Sequence, residues 1–212
     1  MGPAMLNRTA FLLSLDPKLM DFATPRKTEE LVPWSYYDRN TFSAGALATS
    51  TPFFNAVATD SRDGNMELAQ QIPSPKRFLV TQIRVHIASI LSTGVWTTGA
   101  TTSGTIINDT NLFQADTQVS FALGDKNYLL VPTWKLPSGG GLFGLHTDAV
   151  ADTSAGGSTN GWPRVKNGYQ GAWPIPPNTA FTIALKAPGA NTIANDMVVT
   201  ISLDGWLIRP KQ

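Results

Sequence analysis

His86 and His146 are the only two histidines among 212 residues, and the chain has no cysteine. Acyl-transfer chemistry needs a nucleophile, a base within reach of it, and a third group to orient that base. Neither histidine stands in such a setting. His86 lies on the polar side of an alternating run, where an imidazole facing solvent or an interface is the stronger reading. His146 follows a glycine-rich stretch in Gly144-Leu-His-Thr-Asp148 and could touch a metal through its neighbouring Asp. Two histidines without a thiolate do not make a zinc site. The chain also lacks a G-x-S-x-G elbow, a G-x-x-x-x-G-K-[ST] phosphate loop, and a G-x-G-x-x-G that opens a helix.

The remaining route to hydrolysis is a pair of carboxylates, as in glycosidases, drawn from Asp60, Asp63, Glu67, Asp109, Asp116 and Asp204. Asp204 precedes Gly205 inside an apolar row, which reads better as a bulge or turn than as an acid catalyst. Asp60-Ser-Arg-Asp-Gly-Asn-Met-Glu67 has oxygen ligands around a glycine, but departs from the calcium-loop spacing and reads as a solvated turn. Asn7-Arg-Thr9 and Asn108-Asp-Thr110 match the glycosylation sequon, a match that chance supplies readily in so Thr-rich a chain. No catalytic set, cofactor site or metal site is expected.

Tryptophan is the other conspicuous resource: Trp34, Trp96, Trp134, Trp162, Trp173 and Trp206. Aromatic side chains in loops can stack on sugar rings, anchor a protein interface, or pack onto their own subunit. The candidate interface residues are Trp34, Tyr36, Tyr37, Trp134, Trp162, Trp173, Trp206 and Arg209.

Composition narrows the classes further. Sixteen basic against fifteen acidic residues, with basic pairs only at Arg26-Lys27, Lys76-Arg77 and Arg209-x-Lys211, give no positive stripe, so strong direct nucleic-acid binding is not expected. Apolar residues at 42% and a net charge of +1 argue for a folded core rather than disorder. No apolar run approaches the roughly 20 residues of a membrane-spanning helix.

Strands must position whatever site exists. Phe78 to Ile87 alternates, with Leu79, Thr81, Ile83, Val85 and Ile87 expected on one face and Val80, Gln82, Arg84 and His86 on the other. Thr117–Leu123 and Tyr128–Val131 flank the turn Gly124-Asp-Lys-Asn127 and read as a hairpin. Phe181, Ile183 and Leu185 mark another strand. Met197, Val199, Ile201, Leu203 and Leu207 mark the closing one, with Trp206 to Arg209 expected to leave the sheet as an edge or contact segment. Thr93 to Thr105 reads as a loop or weak edge, a short helix is expected near Asp16–Phe22, and no amphipathic helix of ten residues is expected. These patterns give an all-β fold, a β-sandwich with an extended N-terminal arm. Residues 1–70 are assigned to the arm and edge segments and 71–212 to the sandwich, with an irregular loop region at 132–178 and one structural domain overall.

The layout resembles the single jelly-roll capsid and virion proteins of bacteriophages, tailless icosahedral ones especially. The arm up to about Asp60, the Pro73-Ser-Pro75 turn into Phe78, and the hairpin at Gly124-Asp125 carry the resemblance. So do Pro176-Pro-Asn-Thr179 and the ending Ser202-Leu-Asp-Gly-Trp-Leu-Ile-Arg-Pro210. It implies a jelly roll that self-assembles with copies of itself and with other virion proteins, located in the virion after assembly in the host cytoplasm. It also implies a structural role without enzymatic activity. Unlike the plant-virus type, the chain has no Arg/Lys-rich arm, so genome contact falls to another protein. The alternative is a carbohydrate-binding sandwich, lectin-like or receptor-binding, that holds a glycan on its loop tryptophans.

Overall fold

A computed structural model describes residues 17–89, 103–136, 145–147, 153–155, 166–167, 169–170, 172–187 and 191–211. In chain order come helix α1 (Pro17–Ala23), strands β1 (Glu29–Phe42), β2 (Gly45–Ala46), β3 (Ser50–Phe53) and β4 (Arg77–Ser89), and helix α2 (Ser103–Asp116). Next are β5 (Gln118–Leu123), β6 (Lys126–Pro132), a 3-10 turn at Thr133–Lys135, and the short strands β7 (Leu145–Thr147), β8 (Thr153–Ala155), β9 (Lys166–Asn167) and β10 (Tyr169–Gln170). β11 (Trp173–Ile175), β12 (Phe181–Lys186), β13 (Thr192–Ile193) and β14 (Met197–Pro210) complete the described chain. The irregular region expected at 132–178 therefore contains several short strands.

The protein is an all-β sandwich. One antiparallel sheet runs β1-β14-β4-β11 and the other runs β3-β12-β5-β6. Numbering these eight strands 1 to 8 along the chain gives the orders 1-8-3-6 and 2-7-4-5. Every connection between consecutive members crosses from one sheet to the other, except the β5–β6 hairpin. The inner faces share one core. Phe181, Ile183 and Leu185 of β12 are buried while Thr182 and Lys186 are exposed, which is the period-two pattern of a half-buried strand.

β14 is central, hydrogen-bonded to β1 over its whole length and to β4 up to Ile208. Contrary to the sequence expectation, Trp206 to Arg209 stay in the sheet. Met197, Val199, Ile201, Leu203 and Leu207 face the core. At Asp204/Gly205 the register against β4 shifts, leaving Thr81 as an extra residue whose hydroxyl donates to the Asp204 carbonyl at 3.1 Å. This bulge corrects the expected facing of β4. Phe78 and Val80 join Ile83, Val85 and Ile87 in the core, while Leu79 turns to the outer side of the sheet. Strict alternation fails because one inserted residue inverts the phase. A Cβ added at Gly205 would lie 1.9 Å from the Leu79 carbonyl oxygen, so the close approach of β4 requires glycine here.

On that outer side lies α1. Leu19, Phe22 and Ala23 pack with Leu79, Ala172 and Trp206. Thr24 ends the helix by returning its N–H (2.9 Å) and hydroxyl (2.7 Å) to the Met20 carbonyl, and Pro25 prevents continuation. Arg77 ties the helix down. Its guanidinium donates to the Phe22 and Thr24 carbonyls at 2.8 and 3.0 Å and pairs with Glu29 at 3.0 Å.

Two further expectations differ from the structure. The sandwich starts at Glu29 rather than 71, because β1 and β3 belong to the sheets and Tyr36, Phe42, Phe53 and Phe54 are core residues. Pro33 obscures β1 in the sequence but fits it physically, since β1 is an edge strand whose odd positions direct their amide groups away from β14. Helix α2 occupies 103–116 where no such helix is expected. Its Gly, Thr and Asn residues are poor helix formers, and tertiary contacts hold it instead. Phe113 is buried edge-on against Phe42 at 5.2 Å, and the buried Asp109 carboxylate accepts the backbone N–H groups of Ala194 and Asn195.

Candidate functional site

Of the carboxylates considered for hydrolysis, Asp60, Asp63 and Glu67 share the 60–67 segment, Asp109 and Asp116 lie on α2 and Asp204 on β14. Asp60 pairs with Arg62 at 2.6 Å, which pulls its pKa down to about 2. Asp63 lies 3.6 Å from Arg39, Glu67 pairs with Lys76, and Asp204 pairs with Arg84. Asp109 is committed to the 194–195 turn, and Asp116 is exposed at the end of α2. Among the described residues no group of three or more His, Asp or Glu is placed to hold a metal. His86 is half-buried, and burial pushes its imidazole below the usual histidine range. The side chain of His146 lies outside the described residues. So do Trp96, Trp162 and Asn7, and of the second sequon the Asn108 side chain.

The Asp60–Glu67 segment has a structural task. Its Asn65 carboxamide accepts the Tyr37 N–H at 2.9 Å and donates to the Ser35 carbonyl at 2.8 Å, while its N–H reaches the Tyr37 carbonyl at 3.2 Å. The Arg39 N–H donates to the Asp63 carbonyl at 2.8 Å. The segment thus imitates a neighbouring strand and closes the free edge of β1 from Ser35 to Arg39.

Most of the predicted interface aromatics are used inside the fold. Tyr36 is buried against Phe78 with ring centroids 5.0 Å apart, and burial raises its phenol well above the usual range. The Tyr37 hydroxyl donates to the Ser61 carbonyl. Trp173 is half-buried, 5.3 Å from Phe121. Trp206 packs with α1, and Arg209 pairs with Glu30 at 2.7 Å. Among the described residues two tryptophans are open to solvent: Trp34, opposite Gly205 in register, and Trp134 on the 3-10 turn after β6, at 51% exposure.

Trp134 is not alone. Tyr128 and Leu130 of β6 are also exposed, Leu130 at 58%. Lys126 lies over the Tyr128 ring at 5.2 Å and Lys135 over Trp134 at 5.3 Å. β6 ends its sheet, and among the described residues no strand pairs with its outer side. The other three sheet edges are blunted. The 60–65 segment covers β1 from Ser35 to Arg39, β11 has three residues with Pro174 in the middle, and β3 has four with Pro52 among them. Among the described residues β6 has seven residues, no strand on its outer side, and exposed Tyr128 and Leu130.

Comparisons of the chain with protein-family models, with curated proteins and with solved structures find no match. The open edge must therefore be judged on its own chemistry. The Thr133 N–H donates to the Thr117 carbonyl at 2.9 Å, so Val131 and Thr133 face β5 with their amide groups, while Leu130 and Pro132 direct theirs outward. Among the described residues no partner reaches the outward N–H and C=O of Leu130, and its apolar side chain is exposed at the same point. The sequence contained a signal of this. Tyr128-Leu-Leu-Val131 is apolar at four successive positions, whereas a strand with one solvated face alternates.

Among the described residues no helix is long and apolar enough to cross a membrane.

Proposed function

We propose that this chain is a structural subunit of a virion, a capsid or capsid-associated phage protein that assembles in many copies through its sheet edge and loops. The crossing order 1-8-3-6 and 2-7-4-5 supports reading the sandwich as a jelly roll, with two interlocked Greek keys. Fold alone is shared by proteins of many functions. The observation that carries the assembly reading is the β6 edge, apolar and without a paired outer strand among the described residues, in a sandwich whose β3 and β11 edges are short and whose β1 edge is covered from Ser35 to Arg39. Size-exclusion chromatography with light scattering, on the chain alone and with particle extracts, tests it. Concentration-dependent assembly or incorporation into particles is expected. A protein that stays monomeric at high concentration and binds no particle component contradicts it.

Exposed Trp134, with Lys135 beside its ring, supports a second reading in which this end of the sandwich stacks on a sugar. Glycan-array binding abolished by Trp134→Ala would favour it. Trp173→Ala is a poor test, because Trp173 packs on Phe121.

A further inference from the structure

We infer that residues 55–65 form a strap that opens as one unit while the sandwich stays folded, so that a latch rather than a permanent strand guards the β1 edge between Ser35 and Arg39. Apolar anchors stand at both ends of the segment. Phe54 has no exposed surface and Met66 only 5%. Between them every side chain is exposed or half-buried, Val57 at 50% exposure, and the one buried residue is Gly64. Opening therefore breaks polar contacts and uncovers no core.

Those contacts lie close to solvent. The Arg39 N–H donates to the Asp63 carbonyl at 2.8 Å and the Asn65 N–H to the Tyr37 carbonyl at 3.2 Å. The Asn65 carboxamide bonds Tyr37 and Ser35, the Tyr37 hydroxyl donates to the Ser61 carbonyl, and both members of the Arg39–Asp63 pair are open to water. Water can replace each of these partners, so bonds of this kind hold weakly. The strap is also closed on itself. The Asp60 carbonyl accepts the N–H groups of Asp63 and Gly64 at 3.0 and 3.3 Å, and the Asp60 carboxylate accepts the Arg62 N–H at 2.8 Å. Lifting the segment leaves these internal bonds intact, which lets it move as a body. Gly64 marks the seat: a Cβ there would lie 3.1 Å from the Ala58 Cβ, 3.3 Å from the Tyr37 carbonyl oxygen and 3.4 Å from Asp38 Oδ1. Opening bares the outward carbonyls of Ser35 and Tyr37 and the outward N–H groups of Tyr37 and Arg39, the kind of edge that otherwise invites strand addition. It is a property of the single chain and stands whether or not the chain assembles.

β1 supplies its own control, because Tyr36 and Asp38 direct their amide groups to β14 while Tyr37 and Arg39 direct theirs to the strap. Hydrogen exchange of the full chain, followed by NMR in a series of low urea concentrations, reads the two sets separately. Tyr37, Arg39 and Asn65 are expected to exchange through one opening, at least about tenfold faster than Tyr36 and Asp38 and with little dependence on urea, since little surface is exposed. Asn65→Ala removes the carboxamide bonds but leaves Asp63, the Arg39 partner, in place. Its Arg39 amide is expected to exchange about threefold faster or more, while Tyr36 and Asp38 stay within about twofold and report an intact sandwich. Gly64→Val, which crowds the seat, is expected to act in the same direction. Tyr37 and Arg39 amides as slow and as urea-dependent as those of Tyr36 and Asp38 overturn the inference. So does an Arg39 amide unmoved by Asn65→Ala, or a variant that speeds all four amides alike.

Discussion

Replacing Gly205 by alanine tests the β14–β4 contact on which the sandwich is built. The added Cβ would meet the Leu79 carbonyl oxygen at 1.9 Å, the Leu79 carbonyl carbon at 2.9 Å and the Val80 Cα at 3.1 Å. All three are backbone atoms of β4, so no side chain can swing aside. Relief requires moving one central strand away from the other beside the bulge that already interrupts their ladder. Overpacking costs about 1–3 kcal/mol, and loss of one or two ladder hydrogen bonds adds about 1 kcal/mol each. Gly205→Ala should therefore cost about 2–5 kcal/mol, a large share of the roughly 5–15 kcal/mol typical of a whole domain. Urea unfolding followed by tryptophan fluorescence measures it as a shift in midpoint at constant slope. Gly124→Ala is the comparison. Nothing lies within 4 Å of that added Cβ, but its φ is +56, so only the left-handed backbone cost of about 1–2 kcal/mol applies. A loss below about 1 kcal/mol for Gly205→Ala, or a larger loss for Gly124→Ala, would refute the close-approach reasoning.

Other features give independent expectations. Asn65→Leu removes both side-chain bonds that close the β1 edge and should cost about 1–3 kcal/mol, with faster hydrogen exchange at the Tyr37 amide. Arg77→Met leaves Glu29, only 11% exposed, without its partner and should cost about 3 kcal/mol; adding Glu29→Gln should recover part of the loss in the same unfolding assay. The Asp38 carboxyl accepts the Phe54 N–H at 2.5 Å, and burial raises it above the usual aspartate range against the pull of that bond. A raised folded pKa gives stability that is full below the unfolded aspartate value of about 3.9 and lost as pH rises through the folded value. Asp38→Asn, which can still accept the Phe54 N–H, should remove that component from a pH series of unfolding midpoints and gain on the wild type near pH 7.

The strands readable in the sequence were those with one clean apolar face, β5, β12 and most of β14, and β6, which the turn at Gly124–Asn127 marked as the partner of β5. Pro33 hid β1 because a proline argues against a strand until one knows that the strand lies at an edge. The phase of β4 was misjudged because Thr81 is an ordinary residue, and the register shift depends on its neighbour β14. Helix α2 left little trace because its stability comes from Phe113 and Asp109 meeting distant partners. The tryptophans were legible as a resource but not as a site, since burial of Trp173 and Trp206 is set by packing. Of the predicted interface residues, Trp134 lies beside the β6 edge, while Tyr128 and Leu130 went unnoticed in a strand read as a hairpin arm with no face assigned.

Electron microscopy of native particles from the cells that make this chain, with the chain located in the density, tests the structural-subunit account most directly. The account predicts regularly repeated sandwiches joined in part through their β6 edges. Particles whose density has no place for this fold, with the chain left behind as a soluble monomer, would contradict it.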